Sequence, residues 1–215
     1  MCIRDRKKKV SCILINGDLI DFATISRHEK DWRHRTIDEE FDAVKQFLKG
    51  LRKAFPKARI IFKEGNHDER WEKYLYVKAP EIFDCKDFQL EVILRCGELG
   101  IEVVKEKRKI NIGRLTVLHG HEMPGGGGVN PARSTFLKTL ENTLIGHVHK
   151  TSQHTESTLN DHIISSQSTG CLCHLKPLWL PINKWNQGFA YVELDIKTGE
   201  YQLENIKIIK GKIYK

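Results

Sequence analysis

The stretch VSCILINGDLID, residues 10–21, contains a short apolar run that ends in a glycine and two aspartates. The run predicts a buried strand, as in a sheet that is covered on both faces. A second stretch of the same kind, ARIIFKEGNHDE, occupies residues 58–69. Between the two, apolar residues recur at spacings of three and four from Ile37 to Phe55, which predicts a helix. Strand, helix and strand in this order indicate an α/β fold.

Local sequence signals predict the ends of this first helix and further helices and strands along the chain. Thr36 and Glu39 form a potential capping box at its start, and Pro56 ends it. A second helix is predicted from about Glu69, and a third over much of residues 88–99. Further strands are predicted in KINIG (109–113), LTVLHG (115–120), NTLIGHVH (142–149), HIISSQS (162–168), GFAYVELD (188–195), YQLENI (201–206) and KIIKGKIYK (207–215).

Length and composition limit the class of protein. The chain has 215 residues and a hydrophobic share of 40%, which suit a globular protein of one or at most two domains. No apolar run approaches the length of a membrane span. The six cysteines form no CxxC pair and no signal-peptide pattern is present, so we expect reduced thiols and a cytoplasmic protein.

The net charge of +8 invites a nucleic-acid interpretation, but its distribution weakens that interpretation. Residues 1–9 and residues 206–215 each carry a net charge of +4, so the rest of the chain is neutral by formal count. Basic ends are more often solvated tails than a binding face. A basic patch that forms on folding stays open as an alternative.

Polar side chains gather where four of the predicted strands end. A glycine stands beside each of these ends, which lets the backbone turn tightly and approach a ligand. In parallel α/β sheets, ligand groups collect at such strand ends. Aspartate, asparagine and histidine together suit divalent metals such as Mn²⁺, Fe²⁺ and Zn²⁺. The side chains are Asp18 and Asp21 in NGDLID, Asn66, His67 and Asp68 in GNHDE, His119 and His121 in LHGHE, and His147 and His149 in IGHVH.

The strings GDLID, GNHDE, HGH and GHVH occur in the order and context of the calcineurin-like metallophosphoesterase superfamily, which the chain resembles from Val10 to about Gly170. The segment STGCLCHL…NKWNQGFAYVELD looks most like phage or prophage members. The resemblance implies one domain over residues 10–215 with a four-layer α/β/β/α sandwich. Two mixed β-sheets lie at its centre in this metallophosphatase fold, with a two-metal centre at the sheet ends.

The resemblance also implies a role for each matched residue. His67 resembles the histidine that protonates the leaving oxygen, with Asp68 orienting its ring. Asp21 and His121 resemble second groups that hydrogen-bond to the metal ligands and orient them. Apart from the resemblance, Arg70 lies beside the GNHDE loop and is either a contact for a phosphate or a solvated helix residue. The implied metal ligands are Asp18 between both ions, Asn66, His119 and His147 on the second ion, and His149 on the first ion.

The implied reaction is metal-dependent hydrolysis of a phosphate monoester or diester. Two divalent ions, expected to be Mn²⁺ with Fe, Zn or Ni as alternatives, activate a bridging hydroxide that attacks phosphorus. A histidine that titrates near neutral pH then protonates the departing oxygen. Two alternatives stay open: a phage phosphodiesterase or nuclease that acts on nucleic acid, and a non-catalytic domain that binds a partner or nucleic acid.

The sequence departs from the family at its first motif, Asp-x-His, which supplies two ligands of the first metal and occurs nowhere in the chain. Only nine residues precede the first strand, and their opening MCIRDR resembles a translated sequencing-adapter scar. We therefore expect residues 1–9 to be a non-native basic leader and the first βα unit to be missing. A one-metal or weakly active protein would follow.

Cys171, Cys173 and His174 form a further cluster late in the chain. They could belong to a small zinc knuckle, but structural zinc sites usually need four ligands and wider cysteine spacing. The alternative is a pair of buried cysteines, and the sequence favours it.

Overall fold

The structure, a computed structural model, describes residues 10–27, 35–125, 128–177 and 179–214. The predicted leader, residues 1–9, lies outside the described residues. The chain divides into two compact units, Met1–Glu106 and Lys107–Lys215. The prediction of a single domain over residues 10–215 stays a prediction.

The first unit contains a parallel sheet of three strands. They are β1 (Cys12–Asn16), β2 (Arg59–Lys63) and β3 (Ile101–Val104), in the order β1-β2-β3. The last residue of β1, Asn16, pairs with the last residue of β2, Lys63. The loops that follow β1 and β2 therefore leave the sheet side by side.

Helix α1 (Ile37–Ala54) covers this sheet and contributes much of the core. The predicted capping box is confirmed, because Thr36 accepts a hydrogen bond from the Glu39 amide and the Glu39 carboxylate accepts one from the Thr36 amide. Arg52 secures the other end by donating to the carbonyl of Leu99 at 2.8 Å. The buried apolar face follows the predicted spacing: Phe41, Val44, Leu48 and Leu51.

The two other helices of this unit are α2 (Glu69–Lys78) and α3 (Leu90–Ile93). The predicted start of α2 is confirmed, but the predicted helix over residues 88–99 is wrong in length. Arg95 adopts a left-handed conformation (φ 58°), and the Cys96 amide turns back to the carbonyl of Glu91 at 2.9 Å. This reversal closes the helix after one turn.

The second unit begins with a mixed sheet of five strands in the order β4-β5-β6-β8-β7. The β5-β6 and β6-β8 pairs are parallel, whereas β4-β5 and β7-β8 are antiparallel. Helix α4 (Pro131–Thr139) starts at Asn130, whose side chain accepts from the Arg133 amide. The strands are β4 (Ile110–Ile112), β5 (Leu115–Val117), β6 (Thr143–Ile145), β7 (Ser152–Ser157) and β8 (Ile163–Ser168).

An antiparallel sheet completes the second unit, with β9 (Gln187–Leu194), β10 (Tyr201–Ile209) and β11 (Lys212–Tyr214). The α/β class predicted from the sequence is confirmed. The sheet count differs from the two mixed sheets that the resemblance implies, since the described strands form one parallel, one mixed and one antiparallel sheet. Among the described helices, none combines the length and apolar character that a membrane-spanning segment needs.

Leu48 and Phe47 provide a matched test of the first core. The Leu48 side chain is 0% exposed, whereas its neighbour Phe47 on the outer face of α1 is 50% exposed. Leu48→Ala is expected to lower the free energy of unfolding by about 2–5 kcal/mol, because it leaves a cavity. Phe47→Ala should cost much less in the same urea titration. Equal losses would show that α1 does not bury the face described above.

A buried carboxylate follows β2 in the same unit. Glu64 lies beside Glu72 and Glu91, and Lys105 forms ion pairs with those two at 2.7 Å each. Burial, and then the charge of Glu72, raise the pKa of Glu64 to about 8, although the charge of Lys105 opposes the rise. The folded chain therefore keeps a proton on Glu64 at pH values where the unfolded chain has released it.

This proton makes stability depend on pH. Between roughly pH 4 and pH 8 the Glu64 carboxyl group binds fewer protons in the unfolded state than in the native state, so its contribution to stability falls as pH rises. Glu64→Gln removes that fall, and the difference between variant and parent should reach a few kcal/mol, since one pKa unit corresponds to about 1.4 kcal/mol. Urea unfolding at several pH values measures it, with the exposed Glu81→Gln as control. Parallel curves for parent and Glu64→Gln would contradict the prediction.

Candidate metal and phosphoester site

The side chain of Asp68 joins the loops that follow β1 and β2. One carboxylate oxygen accepts hydrogen bonds from the amides of Asp18 (2.7 Å) and Gly65 (2.8 Å). The other accepts from the amides of Leu19 (3.1 Å) and Ile20 (3.2 Å). Asp68 is fully buried, so these four amides have a common partner that replaces water.

Asp18 completes the connection in the opposite direction, because its carboxylate accepts from the His67 amide at 3.0 Å. Its backbone has φ 54°, a left-handed conformation that costs a non-glycine residue about 1–2 kcal/mol. Such strain persists where surrounding bonds hold it and is common at functional sites. The predicted bridging ligand thus has a fixed position at the end of β1, next to the loop that carries Asn66 and His67.

The electrostatics of Asp68 follow from its burial. Burial raises the pKa of this carboxyl group to about 7, and the negative charge of Asp18 adds to the rise. The hydrogen bonds from the Gly65, Ile20 and Asp18 amides oppose it. All contacts of the Asp68 side chain described above are with backbone amides, and none is with the His67 ring.

The partner that orients His67 is Asp21 rather than Asp68, which corrects the sequence analysis. The His67 Nδ1 atom lies 2.7 Å from a carboxylate oxygen of Asp21. On the other side of the ring, Arg70 Nη2 lies 3.1 Å from His67 Nε2, and Arg70 Nη1 also donates to the Asp21 carbonyl at 2.7 Å. A guanidinium group can only donate, so Nε2 accepts and the ring proton is on Nδ1, facing Asp21.

Two histidines of the second unit lie at the ends of the parallel strands β5 and β6. His147 Nδ1 is 3.2 Å from His119 Nε2, and His119 is buried. The His147 amide also donates to the His119 carbonyl at 2.9 Å. Gly120 permits this approach, since a Cβ atom there would meet the His147 Cβ at 3.0 Å. The structure therefore brings together the two predicted nitrogen ligands of the second metal.

Glu122 supports this pair, although no role was predicted for it from its residue type and position. Its carboxylate accepts from the amides of His119 (3.0 Å) and Gly120 (2.6 Å). The His121 ring lies beside the pair, with its centroid 5.2 Å from that of His119. An acid directly after HGH, in a loop whose amides need acceptors, was the signal available in the sequence.

His149 lies in the loop that follows β6 in the same unit. Its φ is 55°, so it shares with Asp18 a left-handed backbone. The Trp185 ring packs edge-on against it with centroids 4.4 Å apart, and the Asn186 amide donates to its carbonyl at 3.0 Å. Cys171 and Cys173 lie close to it: one ligand atom from each of the three residues lies within 4.8 Å of the others.

The two cysteines differ from the expectation of a buried pair. Cys171 is half-buried and Cys173 is exposed. A hydrogen bond from the Cys173 side chain lowers the pKa of Cys171 to about 7, against the effect of burial. His174, the third member of the predicted knuckle, is exposed.

The donor atoms of these residues fit divalent metals. Two imidazole nitrogens only 3.2 Å apart, as in His119 and His147, must hold either a proton or a cation between their lone pairs. Carboxylate, amide and imidazole donors are the set expected for Mn²⁺, Fe²⁺ or Zn²⁺. The ends of β1 and β2 offer Asp18 and Asn66, of which Asn66 is half-buried.

Comparison with known proteins gives relatives but no activity. No protein-family model matches the chain. It is similar to the Gene 54 protein of Mycobacterium phage L5, with 28% identity over 83% of this chain and 75% of that protein. It is also similar to the Gene 54 protein of Mycobacterium phage D29, with 30% identity over 62% of this chain and 55% of that protein. These names state no activity, so functional inference depends on the residues described above.

Removal of the Asp68 charge should loosen the joined loops. Asp68→Asn replaces an acceptor oxygen by an amide nitrogen, so buried backbone amides lose their partner. We expect the free energy of unfolding to fall by about 2–4 kcal/mol in urea. Asp21→Asn is the control, because the Asp21 side chain is 51% exposed and its ion pairs should contribute less than about 1 kcal/mol. A stable Asp68→Asn variant would show that the loops do not depend on this carboxylate.

Proposed function

We propose that this chain is a metal-dependent phosphoesterase that hydrolyses a phosphate monoester or diester. The observation that carries the proposal is the environment of His67, which lies between a carboxylate and a guanidinium group next to Asp18 and Asn66. The resemblance in four ordered motifs supports it. The finer fold, a four-layer sandwich of the metallophosphatase type, belongs to the same proposal.

The proposal assigns metal ligands in both units of the chain. Divalent ions bound by them would supply positive charge to a phosphoester and acidify a water molecule. Metal binding by single variants from each unit tests this assignment. One ion is assigned to Asp18, Asn66, His119 and His147, and the other to Asp18 and His149.

The contacts of His67 show which change its ring needs before it can donate a proton. To protonate a leaving oxygen, Nε2 needs a proton, and in the structure Nε2 instead accepts from Arg70. A phosphate oxygen is a stronger acceptor for a guanidinium group than an imidazole nitrogen is. Substrate phosphate would therefore draw Arg70 away and leave Nε2 able to take up a second proton. Asp21, at 2.7 Å from Nδ1, stabilises the resulting imidazolium.

Generic aryl phosphates test this proposal. With Mn²⁺ present, we expect the chain to hydrolyse bis(4-nitrophenyl) phosphate or 4-nitrophenyl phosphate, and a chelator to abolish the reaction. His67→Ala should lower kcat by about 10²–10⁴-fold, as expected for loss of a proton donor, without preventing Mn²⁺ binding. Asn66→Ala should weaken Mn²⁺ binding itself.

The exposed His162 in the turn between β7 and β8 offers a matched control, and His162→Ala should leave turnover unchanged. Absence of turnover by the folded chain with Mn²⁺, Fe²⁺ and Zn²⁺ would overturn the proposal. Salt-sensitive binding of DNA in the same samples would then favour the non-catalytic alternative. Turnover of DNA together with the aryl diester would identify nucleic acid as the substrate class.

A further inference from the structure

We infer that His149, Cys171 and Cys173 form a zinc-binding site within the second unit, here called the thiolate site. One ligand atom from each residue lies within 4.8 Å of the other two. The Cys173 thiol also hydrogen-bonds to Cys171. The inference goes beyond the proposed phosphoesterase function and does not depend on it, but it assigns His149 to zinc instead of to the first ion of that proposal.

The distances between the three donors suit a single ion. Zinc binds cysteine sulfur at about 2.3 Å and histidine nitrogen at about 2.0–2.1 Å, so in a tetrahedral site two of its ligands lie about 3.5–3.8 Å apart. The three donors lie within 4.8 Å of one another, so they exceed these spacings by at most about 1.3 Å. Small side-chain rotations would therefore be enough to enclose a zinc ion.

The backbone holds these residues in place. Strands β6 and β8 are parallel neighbours, so the loops that carry His149 and Cys171 leave the sheet at the same edge. Asn186 connects the loops: its amide donates to the His149 carbonyl at 3.0 Å, and its carbonyl accepts from the Cys171 amide at 2.9 Å. Gly170 leaves room for this contact, since a Cβ there would meet the Asn186 carbonyl oxygen at 2.4 Å.

Further contacts fix the orientation of the same loops. The Asn186 side chain accepts from the Thr151 amide at 2.8 Å and donates to the Thr151 hydroxyl at 2.7 Å. Gln187 donates to the Cys173 carbonyl at 3.1 Å, so the second cysteine is anchored as well. Trp185 packs edge-on against the His149 ring. A metal site needs this kind of preorganised support around its ligands.

The donor set selects the metal. Two thiolates and one imidazole favour Zn²⁺ over Mn²⁺, which prefers oxygen ligands. Three protein ligands leave a fourth position open to water or another group, unlike a closed structural site. The site also differs from the knuckle considered from the sequence, because the nitrogen ligand is His149, more than twenty residues before the cysteines, rather than the adjacent His174.

Cobalt is the probe for this inference, because thiolate bonds to Co²⁺ absorb in the near ultraviolet. The full chain, freed of metal and kept reduced with a phosphine, is titrated with Co²⁺. We expect a thiolate charge-transfer band that saturates at one Co²⁺ per chain and disappears when Zn²⁺ is added. His149→Ala should weaken Co²⁺ binding by at least about 10–100-fold, which is the loss expected even for a residue that only hydrogen-bonds to a metal ligand.

Cysteine variants assign the band. Cys173→Ser, at an exposed position, should reduce its intensity by about half, since it removes one of two sulfur ligands. The Cys171→Ser/Cys173→Ser double variant should abolish it, whereas Cys85→Ser, at another exposed thiol, should leave it unchanged. Far-ultraviolet circular dichroism checks that each variant is folded.

Two results would overturn the thiolate site: no charge-transfer band in the reduced parent chain, or a band that survives in the double variant. These outcomes are separable from failure of the proposed function. Asn66→Ala lies in the first unit and should leave the cobalt band intact. A band without any phosphoester turnover supports the thiolate site and counts only against the phosphoesterase, whereas Mn²⁺-dependent turnover without a band overturns the thiolate site alone.

Discussion

The first unit depends on one buried carboxylate that accepts hydrogen bonds from four backbone amides. Two loops leave a parallel sheet side by side, and their amides would otherwise face each other without acceptors. Asp68 supplies the acceptors for both loops at once, although it is fully buried. Hydrogen bonds to a charged group contribute about 1.5–3 kcal/mol each, and here they offset part of the unfavourable burial that raises the pKa of this carboxyl group. The positions of Asp18, Asn66 and His67 all follow from this arrangement.

In the second unit, other polar side chains provide hydrogen-bond partners for the loop backbone. The Glu122 side chain accepts from the amides of His119 and Gly120, and the Asn186 side chain accepts from the Thr151 amide and donates to the Gln187 carbonyl. The backbone of Asn186 then bonds to His149 and Cys171. An amide side chain can donate as well as accept, which suits a position where carbonyls and amides must both be satisfied. In each unit, a polar side chain outside the ligand set determines where the ligands lie. Functional residues are therefore held by neighbours that would not themselves touch a metal or substrate.

Sequence patterns predicted the elements whose signals are local and missed those whose signals are not. The spacing of apolar residues and the capping box gave α1, because a helix in contact with one core repeats its contacts every three or four residues. Strand β7, SQHTES, was missed because it is polar throughout and lies at the edge of its sheet. The length of helix α3 was overestimated because its left-handed residue is Arg95, and an arginine gives no sequence signal for a helix end as a glycine would.

The candidate site shows the same limit. The residue types at the strand ends were visible in the sequence, but the partner of His67 was assigned to the adjacent Asp68. Adjacent residues at the start of a helix point in different directions, so Asp68 reaches the loop amides while the ring meets Asp21, distant in sequence. The predicted zinc knuckle had the same weakness. It grouped Cys171 and Cys173 with the adjacent His174, whereas in the structure the histidine close to both cysteines is His149.

The position of His149 bears on which metals the chain can hold. In the phosphoesterase proposal its partner on the first ion is Asp18, and the sequence lacks the Asp-x-His motif that would add further oxygen and nitrogen ligands. Within the second unit its neighbours are instead two sulfur atoms. Sulfur ligands stabilise Zn²⁺ far more than Mn²⁺, so any ion that contacts His149 together with them is of the zinc type. The imidazole nitrogens of His119 and His147, 3.2 Å apart, suit Fe²⁺ or Zn²⁺, and oxygen ligands beside them would be needed to favour Mn²⁺. A chain that binds two ions would then bind two of different chemical character, with His149 determining the softer one.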